Sequence, residues 1–199
     1  MKSLFIVFDG MDGAGKGEMI QQLTRYLAKY RVLVTKEPTE GPYGNEAREL
    51  LENEADPMEN AELCLDLFVK DRKEHLETQI LPFLKKPGSI VISDRYYYST
   101  IAFQTTQGLD RDRVIAANSS FRSPDITFIL DLPVEVAMQR ISARGNKIEK
   151  FEQQAFMEKL RRNFLDLPKT LKDTIQIIDA SRSVEEVFLQ IKNRIDNLL

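Results

Sequence analysis

The chain has 199 residues, 42% apolar and 30% charged, with a net charge of -3. A length of this order gives one domain that buries roughly 70% of its unfolded surface, and the weak negative charge argues against a nucleic-acid or membrane surface as partner. The single cysteine, Cys64, excludes an internal disulfide and a cysteine-based zinc site. No apolar run has the length of a membrane span, and Met1-Lys2-Ser3 leads into a strand with no signal-peptide h-region, so a cytoplasmic protein is expected.

In chain order, Leu4-Phe-Ile-Val-Phe8 predicts a first strand and Met19–Leu27 a helix. Between them stands Gly10-Met11-Asp12-Gly13-Ala14-Gly15-Lys16, and this strand, glycine-rich loop and helix form the context of a phosphate-binding P-loop. The glycines let several backbone N–H groups converge, the helix N-terminus adds about half a positive charge, and Lys16 reaches over the outer phosphates. Gly17 and Glu18 follow the lysine where the motif has a magnesium-ligating Ser or Thr.

Arg31–Thr35 predicts a second strand. Residues 59 to 85 carry Leu63, Leu67, Phe68, Leu76, Ile80 and Leu84 at helical spacing, ending at Lys86-Pro87-Gly88, and Cys64 within them is expected as a buried thiol. Ser89–Ser93, Asp125–Asp131 and Thr174–Asp179 predict three further strands. Five such runs separated by helices predict an α/β fold, a five-stranded parallel doubly wound sheet with helices on both faces. Its ligands belong at the carboxyl ends of the strands. Residues 1–199 are expected to form a single domain, with the polar segment Ala143–Lys150 joining two helices.

Asp9, Glu37, Asp94 and Asp131 each close or directly follow a strand, which brings them towards the rim of the P-loop. Such a carboxylate can hold Mg²⁺ through water or accept a hydroxyl proton, although turns favour aspartate for local reasons as well. In Asp94-Arg95-Tyr96, the arginine after a strand sends a planar cation into the crevice, suited to gripping a second phosphate. The plain alternative is a helix cap followed by a surface ion pair. His75, the sole histidine, lies one turn past Arg72 and reads as a helix-surface or hydrogen-bonding residue, since phosphoryl transfer needs no histidine base.

The order of these motifs resembles the thymidylate kinases of the nucleoside monophosphate kinase group. Asp9–Lys16 is similar to their P-loop, Thr35-Lys-Glu-Pro38 to their Glu-Pro turn, and Leu67-Phe-Val-Lys-Asp-Arg72 to their base-binding helix. Asp94-Arg-Tyr with Ser99-Thr100-Ile-Ala-Phe-Gln104 is the most specific match, and Pro124-Asp125, Leu130–Pro133 and Ile178–Ser181 complete the order. The resemblance implies a P-loop kinase fold with a short lid at about 143–151, and transfer of a phosphoryl group from ATP to dTMP with Mg²⁺, in dTTP synthesis.

ATP would then meet Gly10, Met11, Asp12, Gly13, Ala14, Gly15, Lys16, Gly17, Glu18 and Arg140. Lys16, Asp94, Arg95 and Arg144 would carry catalysis, and Asp9 and Asp94 the metal. Asp12, Glu37, Pro38, Phe68, Arg72, Arg95, Thr100, Phe103 and Gln104 would hold dTMP, with Phe68 stacked on thymine and Arg72 donating to a ring carbonyl. A homodimer packed through the 59–85 and 98–120 segments is implied too. The chain departs from the family pattern at several points. Gly13 fills the place of the P-loop arginine found in some members, so lid cations Arg144, Lys147 and Lys150 are expected to supply that charge. Phe103 replaces a common tyrosine, and Gly17-Glu18 removes a metal ligand. Two alternatives stay open: a kinase of dUMP or a modified deoxynucleotide, and a nucleotide binder with decayed catalysis.

Overall fold

The computed structural model describes residues 2–53, 58–143 and 154–199. Five strands, β1 (Leu4–Asp9), β2 (Arg31–Lys36), β3 (Ser89–Asp94), β4 (Ile126–Asp131) and β5 (Ile175–Asp179), form one sheet in the order β2-β3-β1-β4-β5. Every pairing is parallel. The expected α/β architecture is thus the observed one. Along the chain come α1 (Lys16–Tyr26), α2 (Pro42–Asn53), α3 (Ala61–His75), a π turn (Leu76–Ile80), α4 (Leu81–Leu84), α5 (Tyr97–Thr106) and α6 (Arg111–Asn118). Then follow α7 (Val134–Ser142), α8 (Gln154–Thr170) and α9 (Val184–Asp196).

β1 is buried at every position, as are β3 and β4 up to their last residue, which requires cover on both faces of the sheet. Two helix pairs supply it, α1 packed on α9 and α5 packed on α8. Phe5 meets Tyr96 edge-on at 5.2 Å, and Phe8 meets Phe128 at 5.3 Å, so aromatic rings fill the middle of the core. β2 is the edge strand, with Val34 45% exposed. Cys64 is a buried thiol outside any disulfide and fills apolar space.

Residues 61–84 keep a helical path, but a π turn follows His75 and leads into the short α4, whose first turn holds Pro82. α2 has no counterpart in the sequence reading. Arg144, Lys147 and Lys150 lie outside the described residues, as does the expected lid apart from Ala143.

From β1 the chain crosses first to β2 and β3 on one side and then to β4 and β5 on the other. The carboxyl end of β1 is therefore the switch point at which such sheets hold their ligands. The register sets Asp94 beside both Phe8 and Lys36, so the loops after β1, β2 and β3 open onto the same crevice.

Candidate active site

The loop after β1 takes its shape from glycine. Gly10, Gly13 and Gly15 have φ of 129, 80 and 89°, in the region L side chains rarely adopt. Gly10 and Gly13 also bring backbone against backbone: a Cβ would stand 2.5 Å from the Leu130 carbonyl oxygen at Gly10, and 2.7 Å from that of Ala137 at Gly13. The loop is thereby pressed against β4 and α7. Gly15 forms the left-handed cap of α1, and a Cβ there meets nothing within 4 Å. Lys16 folds back across the loop, donating to the Gly10 and Met11 carbonyls at 3.0 and 3.1 Å. Burial, with help from the Arg95 cation, lowers its pKa. Met11 and Ala14 are buried under the loop, and Gly17 and Glu18 are exposed on its helical side. Arg140 stands half-buried in the last turn of α7.

The four strand-end carboxylates have four different environments. Asp9 is fully buried, and both its oxygens accept from the protein: Gly10 N–H at 2.8 Å and Ser99 Oγ at 2.6 Å on one, Ser99 N–H at 3.0 Å and Tyr96 N–H at 3.3 Å on the other. Burial raises its pKa, while Arg95, Ser99 and Lys16 pull it back. Asp9 thus ties the P-loop to the start of α5. Asp131 is clamped by Arg161 of α8 through two bonds of 2.7 and 2.9 Å, away from any role at the rim. Glu37 meets Arg72 and His75. Asp94 alone keeps a buried oxygen, Oδ1, with no hydrogen-bond partner among the described residues. An orphan acceptor whose field is felt by both Lys16 and Arg95 suits a hydrated cation beside a polyphosphate. Residues at the loop therefore fit ATP with Mg²⁺, although the described residues contain no cluster of three metal-ligating side chains.

Arg95 has φ of 69°, a strained value for a non-glycine residue, immediately after β3. The twist aims its side chain at the P-loop, where Nη2 donates to Asp12 at 2.6 Å and Nη1 to Ser99 Oγ at 2.8 Å. Its guanidinium carbon lies 5.5 Å from the centre of the Phe103 ring. Burial opposes the charge, but Asp12, Asp9 and Asp94 outweigh it and push the pKa upward. Neither the Phe103 platform nor Ser99 as the link between Asp9 and Arg95 was legible from residue order alone.

Beside Arg95 opens a cavity of about 490 Å³. Asp12, Glu37, Pro38, Phe68, Arg72, Arg95, Thr100, Phe103 and Gln104 all line it, so the structure brings together every residue singled out for the acceptor. Phe68 is half-buried at the wall, not enclosed in the core. Gln104 gives its amide N–H to Gln107 at 2.8 Å, leaving its buried Oε1 without a partner among the described residues. Arg48 on α2 also lines the cavity and was not foreseen; it ties down the Glu-Pro turn by donating to the Pro38 and Thr39 carbonyls at 2.8 and 2.5 Å. His75 is buried rather than exposed, its Nδ1 3.0 Å from Glu37 and its Nε2 2.6 Å from Thr35 Oγ1.

A P-loop facing an aromatic and cationic pocket across one crevice is the frame of a monophosphate kinase, and comparison with known proteins decides which. The thymidylate kinase family model matches residues 8–191. The chain belongs to the thymidylate kinase family. A probable thymidylate kinase of Thermococcus kodakarensis is 38% identical over 204 residues, covering 98% of each chain. One from Pyrococcus abyssi is 38% identical over 94% of this chain and 93% of its own. A thymidylate kinase of Xanthomonas campestris is 39% identical over 94% of this chain and 80% of its own. Family membership makes the chain a nucleoside monophosphate kinase, an enzyme with nucleotide substrates. None of its helices, among the described residues, is long and apolar enough to cross a membrane.

Proposed function

We propose that this kinase transfers the γ-phosphoryl group of ATP to dTMP, giving ADP and dTDP, and acts in the cytoplasm as a single-domain homodimer. The observation that carries the reading is the cavity itself, lined at once by Arg95 beside the P-loop and by Phe68, Arg72 and Gln104. An aromatic wall stacks on a base, a buried guanidinium donates to a ring carbonyl, and Arg95 aligns the acceptor phosphate for in-line attack. Lys16 and the loop amides hold the donor. Asp94 would be the principal protein acceptor towards Mg²⁺, which when bound would supply charge neutralisation, and Asp9 supports the site from behind. Arg144 in the lid supplies charge at the transferring phosphate, because Gly13 cannot. Phosphoryl transfer depends on positioning and charge neutralisation, and no covalent intermediate or general base is required.

An ADP-release assay over a panel of monophosphates tests the base reading. One methyl group is worth about 1–3 kcal/mol, so dUMP should be turned over more slowly than dTMP. Cytosine would set an amino group against Arg72, donor against donor, and dCMP should be far worse. Equal turnover of dCMP and dTMP would overturn the assignment of the base pocket.

The rival reading, a nucleotide binder with decayed catalysis, rests on Gly17-Glu18. Against it, Glu18 is exposed and accepts from Gln22 one turn on at 2.8 Å, the position of an ordinary first-turn acid on the helix surface. A Cβ at Gly17 meets nothing within 4 Å, so a side chain fits there without displacing its neighbours. Gly17→Thr should therefore fold normally and lower the Mg²⁺ concentration needed for half-maximal ATP binding, since it restores a hydroxyl ligand. Titration of Mg²⁺ against binding of a fluorescent ATP analogue checks this. An unchanged Mg²⁺ midpoint would mean that the metal does not approach position 17.

A further inference from the structure

Arg72 is 2% exposed, and the protein uses most of its donors. Nε and Nη2 both meet Oε2 of Glu37, at 2.9 and 2.8 Å. Nη2 also donates to Thr100 Oγ1 at 3.0 Å, and Nη1 to Asn118 Oδ1 at 2.5 Å. The guanidinium carbon lies 5.1 Å from the Tyr96 ring centre and 5.7 Å from that of Phe121. Arginine carries five N–H groups in a rigid plane. With Nε, both protons of Nη2 and one of Nη1 facing these partners, a single Nη1 proton is left for a molecule in the cavity.

The partners are themselves fixed. Asn118 is 3% exposed, and its Nδ2 donates to the Val114 carbonyl at 2.8 Å, which turns Oδ1 towards Arg72. Glu37 is held from its other side by His75, whose Nδ1 lies 3.0 Å from Oε1. A neutral ring with its proton on Nδ1 donates to that carboxylate, and Nε2 then accepts from the Thr35 hydroxyl at 2.6 Å. Thr35, His75, Glu37 and Arg72 thus form one chain of oriented bonds running from the edge strand β2 to the cavity.

We propose that Asn118 and His75 are specificity-determining positioning residues: with Glu37 and Thr100 they lock the Arg72 guanidinium so that its one remaining N–H faces the base. A loosely held arginine could swing aside from an amino group. A clamped one cannot, and a ring amino group is then opposed by a donor that has nowhere else to point. The clamp converts a favourable contact with a ring carbonyl into rejection of a ring amine. This rests on the reading of the cavity as the acceptor site.

Calorimetric affinities for dTMP and dCMP, with melting temperatures alongside, test the proposal. Asn118→Leu and His75→Leu should each reduce the dTMP-over-dCMP preference by about tenfold or more, the scale on which a polar site loses discrimination once its groups are unpinned. His75→Asn places an amide N–H where Nδ1 stands and should restore the preference to within about threefold. Leucine variants that fold and keep the full preference would overturn the clamp. Should the leucine variants not fold, His75→Asn decides: it retains the N–H facing Glu37, so a preference within about threefold of the parent's supports the clamp and a tenfold loss overturns it. A parent protein that binds dTMP and dCMP equally would overturn the reading of the cavity, and the clamp's selective role with it; a parent that prefers dTMP beside leucine variants that do so equally overturns the clamp alone.

Discussion

Arg95→Lys is expected to lower kcat/KM for dTMP by at least ~10²-fold while leaving the fold and the KM for ATP nearly unchanged, the scale on which a small misplacement of a reacting group shows. The guanidinium serves two directions at once, Asp12 at 2.6 Å and Ser99 at 2.8 Å, and lies over the Phe103 ring. Lysine keeps the charge but has neither the fork nor the flat face, so it can satisfy only one of these constraints at a time. The backbone gains nothing from the change, because φ of 69° is equally uncomfortable for both residues. Steady-state kinetics with thermal unfolding separate the outcomes. Near wild-type kinetics would reduce Arg95 to an ion pair that holds the loop.

Gly13→Ala is expected to be, with Gly10→Ala, among the most damaging small substitutions in the P-loop. Its Cβ would lie 2.7 Å from the Ala137 carbonyl oxygen, 3.1 Å from Ala137 Cα and 3.2 Å from its carbonyl carbon, all backbone of α7. These atoms do not yield as a flexible side-chain end would, and φ of 80° adds strain. A cost of ~2–4 kcal/mol follows, lowering Tm by about 5–15 °C for a chain of this size. The same Cβ is carried by arginine. Some family members bear an arginine at this position of the loop, but here the charge cannot be restored at Gly13 without moving α7, so it has to reach the phosphates from elsewhere. A Gly13→Ala protein that melts with the parent and binds ATP as tightly would show that the loop and α7 separate freely.

The strands were legible almost to the residue because three of them are buried on both faces, and only an unbroken apolar run satisfies such a position. α2 was not legible. Its apolar positions are few, Ala47 is its one fully buried hydrophobic residue among those described, and it opens among Gly41, Pro42 and Gly44, which read as a turn. In the folded chain Pro42 starts the helix, and a Cβ at Gly44 would stand 2.1 Å from the Thr39 carbonyl oxygen, so the glycine permits a close backbone approach. Missing α2 meant missing Arg48, which reaches the cavity from it.

At the site, residue types and family order assembled the acceptor wall, because Phe68 and Arg72 share α3 and Thr100, Phe103 and Gln104 share α5. Sequence could not sort the carboxylates. Asp9, Asp94 and Asp131 all end strands and look alike in one dimension. Their tasks diverge through contacts made far along the chain: Asp131 with Arg161, Asp9 with Ser99, and Asp94 with no hydrogen-bond partner for Oδ1 among the described residues. His75 was similarly opaque. Its burial follows from the approach of β2, which brings Thr35 and Glu37 to either side of the ring.

Incubation with dTMP, Mg²⁺ and ATP labelled in its γ-phosphate tests the central claim most directly. The account predicts that label passes into dTDP in step with ADP formation, with none retained on the protein, since the acceptor's own phosphate is the nucleophile. ADP released without labelled dTDP, or label fixed to the protein, would contradict it.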